Sequence, residues 1–323
     1  MSRLLVTSPC EYSWQMESPR LPRFRRTRGV PLIQITPRDR EILQRVYQHR
    51  FLRSPHLIAL LGQSSQQILR RLQLLYHHGY LERPRAQLDY YHSSGSRPFV
   101  YGLGKKGAAL LWAELGLPCR NLDWSDKNRS VGRFFLQHAL FVSDVMVTIE
   151  LACRQNGRVR LLTEEELQPS ERQKKGRQSF RWNVNLTGSV KLGIIPDRVF
   201  ALEYTDQSGK SERAIFFLEA DRGTMPVQRK NLFQTSLYRK LLAYEATWSQ
   251  SLHRSRFGFH RFRVLIVTKS VERLNSLIEV SARLKSGRGL FLFGHERLLA
   301  DPDTVFTSLW HTGRHGEQNK LLP

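Results

Sequence analysis

The stretch that most restricts the fold is LGIIPDRVFALEYTDQSGKSERAIFFLEADRG, from Leu192 to Gly223. Two apolar runs, Lys191–Tyr204 and Arg213–Ala220, flank a polar turn at Asp206–Gly209. That pattern predicts a β-hairpin. Asp197 opens the first run, and Glu219 and Asp221 close the second. The hairpin sets Asp197 beside Glu219. Carboxylates on adjacent strands offer oxygen ligands to a hard divalent cation. The plainer alternative is a set of solvated strand ends, with Asp221 and Arg222 pairing to neighbours.

Charge narrows the partner. The chain has 323 residues, with 51 Lys+Arg against 28 Asp+Glu, a net charge of +23. Such an excess points to a polyanion, most often nucleic acid. An anionic membrane surface is the rival, but no long basic amphipathic helix stands apart from the globular pattern. A hydrophobic content of 40% supplies real cores and argues against global disorder. The length allows about two domains. Cys10, Cys119 and Cys153 form no CxxC pair, so neither a zinc ribbon nor a disulfide framework is expected, and a cytoplasmic setting fits. Phe134–Ala152 is apolar but broken by His138, Asp144 and Glu150, which predicts a core helix and no membrane span.

Read in order, residues 1–34 make a flexible basic arm, with RLPRFRRTRG at Arg20–Gly29. Thr36-Pro37 starts a helix whose apolar face holds Ile42, Leu43, Val46 and Tyr47. Ser54-Pro55 starts a second, ended by Gly62, and Ser64 or Ser65 caps a third, stopped by Gly79. Ile68, Leu72, Leu75 and Tyr76 form the third helix's buried stripe. Strands at Tyr80–Arg85 and Pro98–Leu103 follow, then a helix at Lys105–Leu115. Three helices and a two-stranded ribbon describe a winged helix-turn-helix over residues 36–116. Its third helix would enter the major groove of double-stranded DNA, and its wing would touch the flanking backbone. Gln66, Gln67, Arg70 and Arg71 are the candidate contacts on that helix, with Arg83, Arg85, Arg97 and Lys105 on the wing and its exit. A winged helix used for protein contact or dimerisation is the alternative.

Residues 117–133 read as a linker and 134–311 as a second domain. It begins with the helix Phe134–Gln155, where His138 lies near the apolar face and is expected to be a satisfied core histidine. A basic excursion over Glu164–Gly188 contains RQKKGRQ. After the hairpin come a helix at Asn231–Trp248 carrying Lys240 and Tyr244, a strand at Phe262–Thr268, a helix at Val271–Leu284 and a strand at Gly289–Phe293. That order predicts an α/β domain with a mixed sheet and helices on its faces. Residues 312–323 read as a loose tail.

Pro196-Asp197 on one strand, Glu219-Ala-Asp221 on the next and Lys240 on the following helix resemble the restriction-endonuclease-like superfamily. Its pattern is Pro-Asp, then Glu-x-Lys after a hairpin. The resemblance implies that Asp197 and Glu219 hold magnesium, with manganese as a substitute, and that the metal stabilises phosphate charge and activates water. Asp221 stands where that pattern has lysine. It is expected to assist as a third ligand, with Lys240 supplying the cation from the helix. With the upstream module included, PDRVF, FFLEADRGTMPV and QTSLYRKLLAYEATW resemble the replication-relaxation family over about residues 36–300. The resemblance implies a plasmid or mobile-element protein of replication, relaxation or mobilisation, acting with other mobilisation or replication proteins. It is either a metal-dependent DNA-nicking relaxase or a non-catalytic DNA-binding accessory factor. No His-x-His and no Walker loop occurs. Tyr238 and Tyr244 are expected to pack on the sheet in preference to forming a covalent link.

Overall fold

The computed structural model describes residues 21–27, 29–88, 97–117, 124–167, 180–186, 190–206, 208–231 and 234–323. The first twenty residues of the basic arm and the RQKKGRQ segment lie outside the described residues.

The N-terminal unit begins at α1 (Pro37–His49), capped by Thr36 in a reciprocal box with Asp39. β1 (Phe51–Arg53), α2 (Ser54–Leu61), α3 (Ser65–His77), β2 (Leu81–Glu82), β3 (Val100–Leu103) and α4 (Lys105–Leu115) follow. The ribbon has three strands, in the order β1-β3-β2, where the sequence predicts two. Phe51–Arg53 is too short to show an alternating pattern, so its pairing with β3 is decided by register alone. Ile42, Val46, Leu57, Ile68, Leu72 and Leu103 share one buried core. Helix α4 can close on it because residue 107 is glycine: a Cβ there would lie 2.3 Å from the Tyr80 carbonyl oxygen.

Two boundaries differ from expectation. The stretch expected to be a linker holds α5 (Trp124–Arg129), and its buried Asn128 donates to the Leu103 carbonyl at 2.8 Å. The arm is also fastened where it is described. Arg26 donates to the carbonyls of Tyr76 and Leu81 and pairs with Glu82 at 2.5 Å.

Helix α6 (Arg133–Asn156) serves both halves. Phe141, Val145, Ile149 and Ala152 pack on the large sheet. Val147 and Leu151 pack into the N-terminal core, while Leu136 and Leu140 cover Phe51 and Val100. By length and composition α6 could cross a membrane. Here its apolar residues are used against these cores.

The chain continues through β4 (Val159–Leu162), α7 (Glu164–Leu167), β5 (Trp182–Asn185), β6 (Lys191–Ile194), β7 (Arg198–Thr205) and β8 (Ser211–Asp221). Then come α8 (Leu237–Ser249), α9 (Leu252–Ser255), β9 (Arg263–Thr268), α10 (Val271–Ser281), β10 (Phe291–His295), β11 (Trp310–Thr312) and β12 (Gln318–Asn319). Seven strands form a mixed sheet in the order β12-β11-β10-β9-β8-β7-β4. β8, β9 and β10 are parallel, and β7 and β11 flank them antiparallel. Alternation along β8 sends Phe216, Leu218 and Ala220 toward α6 and Phe217 toward α8 and α10. Glu219 and Asp221 share the parity of Phe217.

The run Lys191–Tyr204, read as one strand, is two. Pro196 has no N–H for a ladder, and β6 before it pairs with β5 in a separate two-stranded sheet. The expected tail is also structured. β12 pairs with β11 at the sheet edge, and Leu321 and Leu322 are buried beside Trp310 in the core beneath α6. Gly294 makes room for Trp310: a Cβ there would lie 2.3 Å from the indole ring.

Leu321 is 1% exposed. Leu321→Ala is expected to lower the unfolding free energy by about 2–4 kcal/mol in urea denaturation, whereas a loose tail would leave it unchanged.

Candidate functional site

The ends of β7 and β8 place the acids. Asp197 precedes β7, and its backbone N–H donates to the Leu218 carbonyl at 3.0 Å, which holds it level with Glu219. One Asp197 oxygen accepts from the Ala220 N–H at 2.8 Å, and the other lies 3.0 Å from His138 Nε2. Glu219 is buried. One of its oxygens accepts from Tyr244 Oη at 2.7 Å, and the other accepts from Lys240 Nζ. Lys240 and Tyr244 stand four residues apart on α8, so both project from one helix face to the same carboxylate.

Asp221 is diverted. Arg273, in the first turn of α10, donates to its oxygens at 2.6 and 3.1 Å. Gly223 N–H adds a bond at 3.0 Å and Thr268 Oγ1 one at 3.4 Å. A bidentate arginine satisfies this carboxylate, at the position where the sequence led to the expectation of a third metal ligand. Among the described residues, no three His, Cys, Asp or Glu side chains are grouped to hold a metal ion. The residues present therefore do not fit a three-carboxylate magnesium seat. Asp197, Glu219 and Lys240 do come together. The Lys240 ammonium supplies, beside the two carboxylates, positive charge of the kind a cation would bring.

The electrostatics follow from this arrangement. Burial would raise Asp197, but His138, Lys240 and the Ala220 N–H hold it below the usual carboxylate range. Its hydrogen bond to Asp197 raises His138 above the ordinary imidazole value. Burial pushes Glu219 up, with Lys240 pulling the other way. Burial opposes the charge on Lys240, but Glu219 and Asp197 outweigh it and raise the amine. His138 is the residue that sequence reasoning assigned to the core. Its side chain is 37% exposed and faces Asp197. The only signal for it was a lone polar side chain on an apolar helix face.

The residues assigned to DNA contact separate into two groups. Gln66, Gln67 and Arg70 are exposed on α3, Arg85 is exposed after β2, and Arg97 and Lys105 are exposed around β3. Gln67 also accepts from Arg38 at 3.1 Å. Arg71 instead binds Asp39, which is 0% exposed, and the Gln34 carbonyl. Arg83 is buried, with its guanidinium 4.3 Å from the Tyr76 ring centre and 4.2 Å from that of Phe99. It donates to Tyr101 Oη and the Arg23 carbonyl. Arg71 and Arg83 are thus tied into the N-terminal unit, because each meets an internal acceptor before it reaches solvent.

The family model for replication-relaxation matches residues 43–261, well over half of the chain and the whole of the acid–lysine centre. The chain belongs to the replication-relaxation family. That membership suggests a role in plasmid or mobile-element replication or relaxation. No curated protein and no solved structure matches it.

His138 is expected to titrate above its unfolded value of about 6.5, as followed by NMR of the imidazole. The sign of the linkage is set by both partners. The raised His138 contributes stability that is full below about pH 6.5 and is lost as pH rises through its folded pKa. The depressed Asp197 contributes stability that is present above about pH 4 and is lost as pH falls through its folded pKa. The stability difference between wild type and His138→Gln should therefore be largest between about pH 4 and 6.5 and shrink on the alkaline side.

Proposed function

We propose that this protein is a DNA-binding factor of plasmid or mobile-element replication, relaxation or mobilisation, working in the cytoplasm with other proteins of that process. Its N-terminal unit is read as a winged helix-turn-helix and its second half as a restriction-endonuclease-like domain. The observation that carries the reading is the exposed face of α3. Gln66, Gln67 and Arg70 stand exposed on a helix whose opposite stripe is buried, in a chain of net charge +23. Amide and guanidinium groups can read base edges in a major groove. Arg85, Arg97 and Lys105 flank the same unit and suit the phosphate backbone. Arg70→Ala is expected to weaken duplex binding, and Arg85→Ala to reduce the salt slope of log K by about one. Arg71→Ala is expected to act through the fold, costing about 3 kcal/mol in denaturation because buried Asp39 loses its partner. Unchanged duplex affinity in both Arg70→Ala and Arg85→Ala would overturn the reading.

A second reading, DNA nicking, is favoured by one specific observation: Lys240 reaches Glu219 beside Asp197. Acids and a lysine in that relation resemble a nuclease centre, although Asp221 takes no part. Conversion of supercoiled plasmid to open circle, assayed with magnesium or manganese, tests it. Nicking that is lost in Asp197→Ala and in Glu219→Ala supports it. Nicking that survives the double substitution, or no nicking by the wild type, leaves the non-catalytic DNA-binding factor.

A further inference from the structure

The first turn of α6 presents two aromatic rings that neither core uses. Phe134 is 77% exposed and Phe135 41%, whereas Leu136 beside them is buried. Phe134 lies one helical turn before His138, on the same helix face. Phe135 lines a cavity of about 430 Å³ together with His138, Asp197, Ile195 and Pro196. That volume is within the roughly 300–1,000 Å³ range of small-ligand sites.

The chemistry of this cavity suits a flat, neutral, hydrogen-bonding ring. Its lining mixes apolar side chains such as Phe135, Val142 and Phe180 with hydrogen-bonding groups: the Asp197–His138 pair, His49, Glu164 and Arg198. Two arginines stand beside the aromatic rings. The Arg50 guanidinium lies 4.5 Å from the centre of the Phe135 ring. Arg222 donates to the Phe134 carbonyl at 3.0 Å and to Gln137. Arg50 is held at φ 67°, a left-handed conformation that disfavours arginine.

We propose that this cavity takes an unpaired base of a single DNA strand. The base stacks on Phe135, a neighbouring base stacks on Phe134, and the intervening phosphates lie against Arg50 and Arg222. Aromatic platforms beside cations bind single strands in this way, because every base offers a π-face. The proposal rests on the DNA-binding reading above and deepens it. α3 holds duplex, and the acid–lysine centre receives a strand whose bases are already unpaired. Taking bases out of a duplex carries a stacking cost, so the site discriminates for melted or single-stranded DNA.

The test uses the full chain and a 20-nucleotide single-stranded DNA carrying 2-aminopurine, with affinity read by anisotropy and stacking by 2-aminopurine quenching. Wild type is expected to bind with quenching. Phe134→Ala and Phe135→Ala are each expected to weaken single-strand binding on the order of tenfold, and Phe135→Tyr is expected to restore it. The exposure of Phe134 keeps its substitution informative, and a thermal melt shows that each variant is folded. Duplex binding should be unchanged in these variants and weakened in Arg70→Ala. Equal single-strand affinity in wild type and both alanine variants would overturn the proposal, as would no single-strand binding or equal affinity for an abasic strand. An RNA strand bound as tightly as DNA would overturn its commitment to DNA. Loss of the Arg70 effect alone would count against the duplex reading and leave this site standing.

Discussion

Helix α6 is the part on which the rest of the molecule depends. Its apolar residues cannot face one partner, because they are spread around the helix. One stripe covers the sheet, another enters the N-terminal core, and its first turns cover Phe51 and Val100. Ser143 adds a directional bond, donating to the Phe51 carbonyl at 2.8 Å from a buried position. A helix buried on several sides cannot turn without opening all of them, and close-packed interiors resist such shifts. The N-terminal unit and the sheet therefore share α6 as a common wall.

This wall also carries chemistry. His138 projects from α6 to Asp197, and Arg222 returns from the end of β8 to the first turn of the same helix. The acid–lysine centre is thus enclosed from two directions, by α6 on one side of the sheet and by α8 on the other. Each of the three acids has a basic partner: His138, Lys240 or Arg273. Buried carboxylates need such partners, since an unpaired one is costly to hold in a low-dielectric interior. The same requirement separates Asp221 from the pair. Arg273 answers its charge, so it does not share the lysine.

Much of this was legible in the chain. The capping box at Thr36, the glycine stops at Gly62 and Gly79 and the buried stripe of α3 follow from short-range rules that do not depend on the fold. The hairpin was legible for the same reason, since β7 and β8 are joined by a short polar turn. The arginines of the N-terminal unit were not. Arg70 and Arg71 are neighbours of equal type, and only the approach of Asp39 from α1 makes one structural and leaves the other exposed. Arg83 looked like a wing cation, yet three aromatic rings close around it. The C-terminal residues lacked periodicity, because β11 and β12 are held by pairing to a strand already in the sheet and by the space that Gly294 leaves for Trp310.

The sequence by itself determined the long helices, the β7–β8 hairpin, the excess of positive charge and the presence of Asp197, Glu219 and Lys240 in the order that a hairpin and a following helix bring near one another. Those features are local or compositional, so no folded partner is needed to read them. Tertiary structure decided which acid keeps the lysine, that His138 faces Asp197 and that Phe134 and Phe135 remain at the surface beside them. Each of those outcomes depends on which side chain from a distant segment arrives first. Such long-range pairing is set by the packing of α6, α8 and α10 against the sheet, and one-dimensional spacing does not encode it.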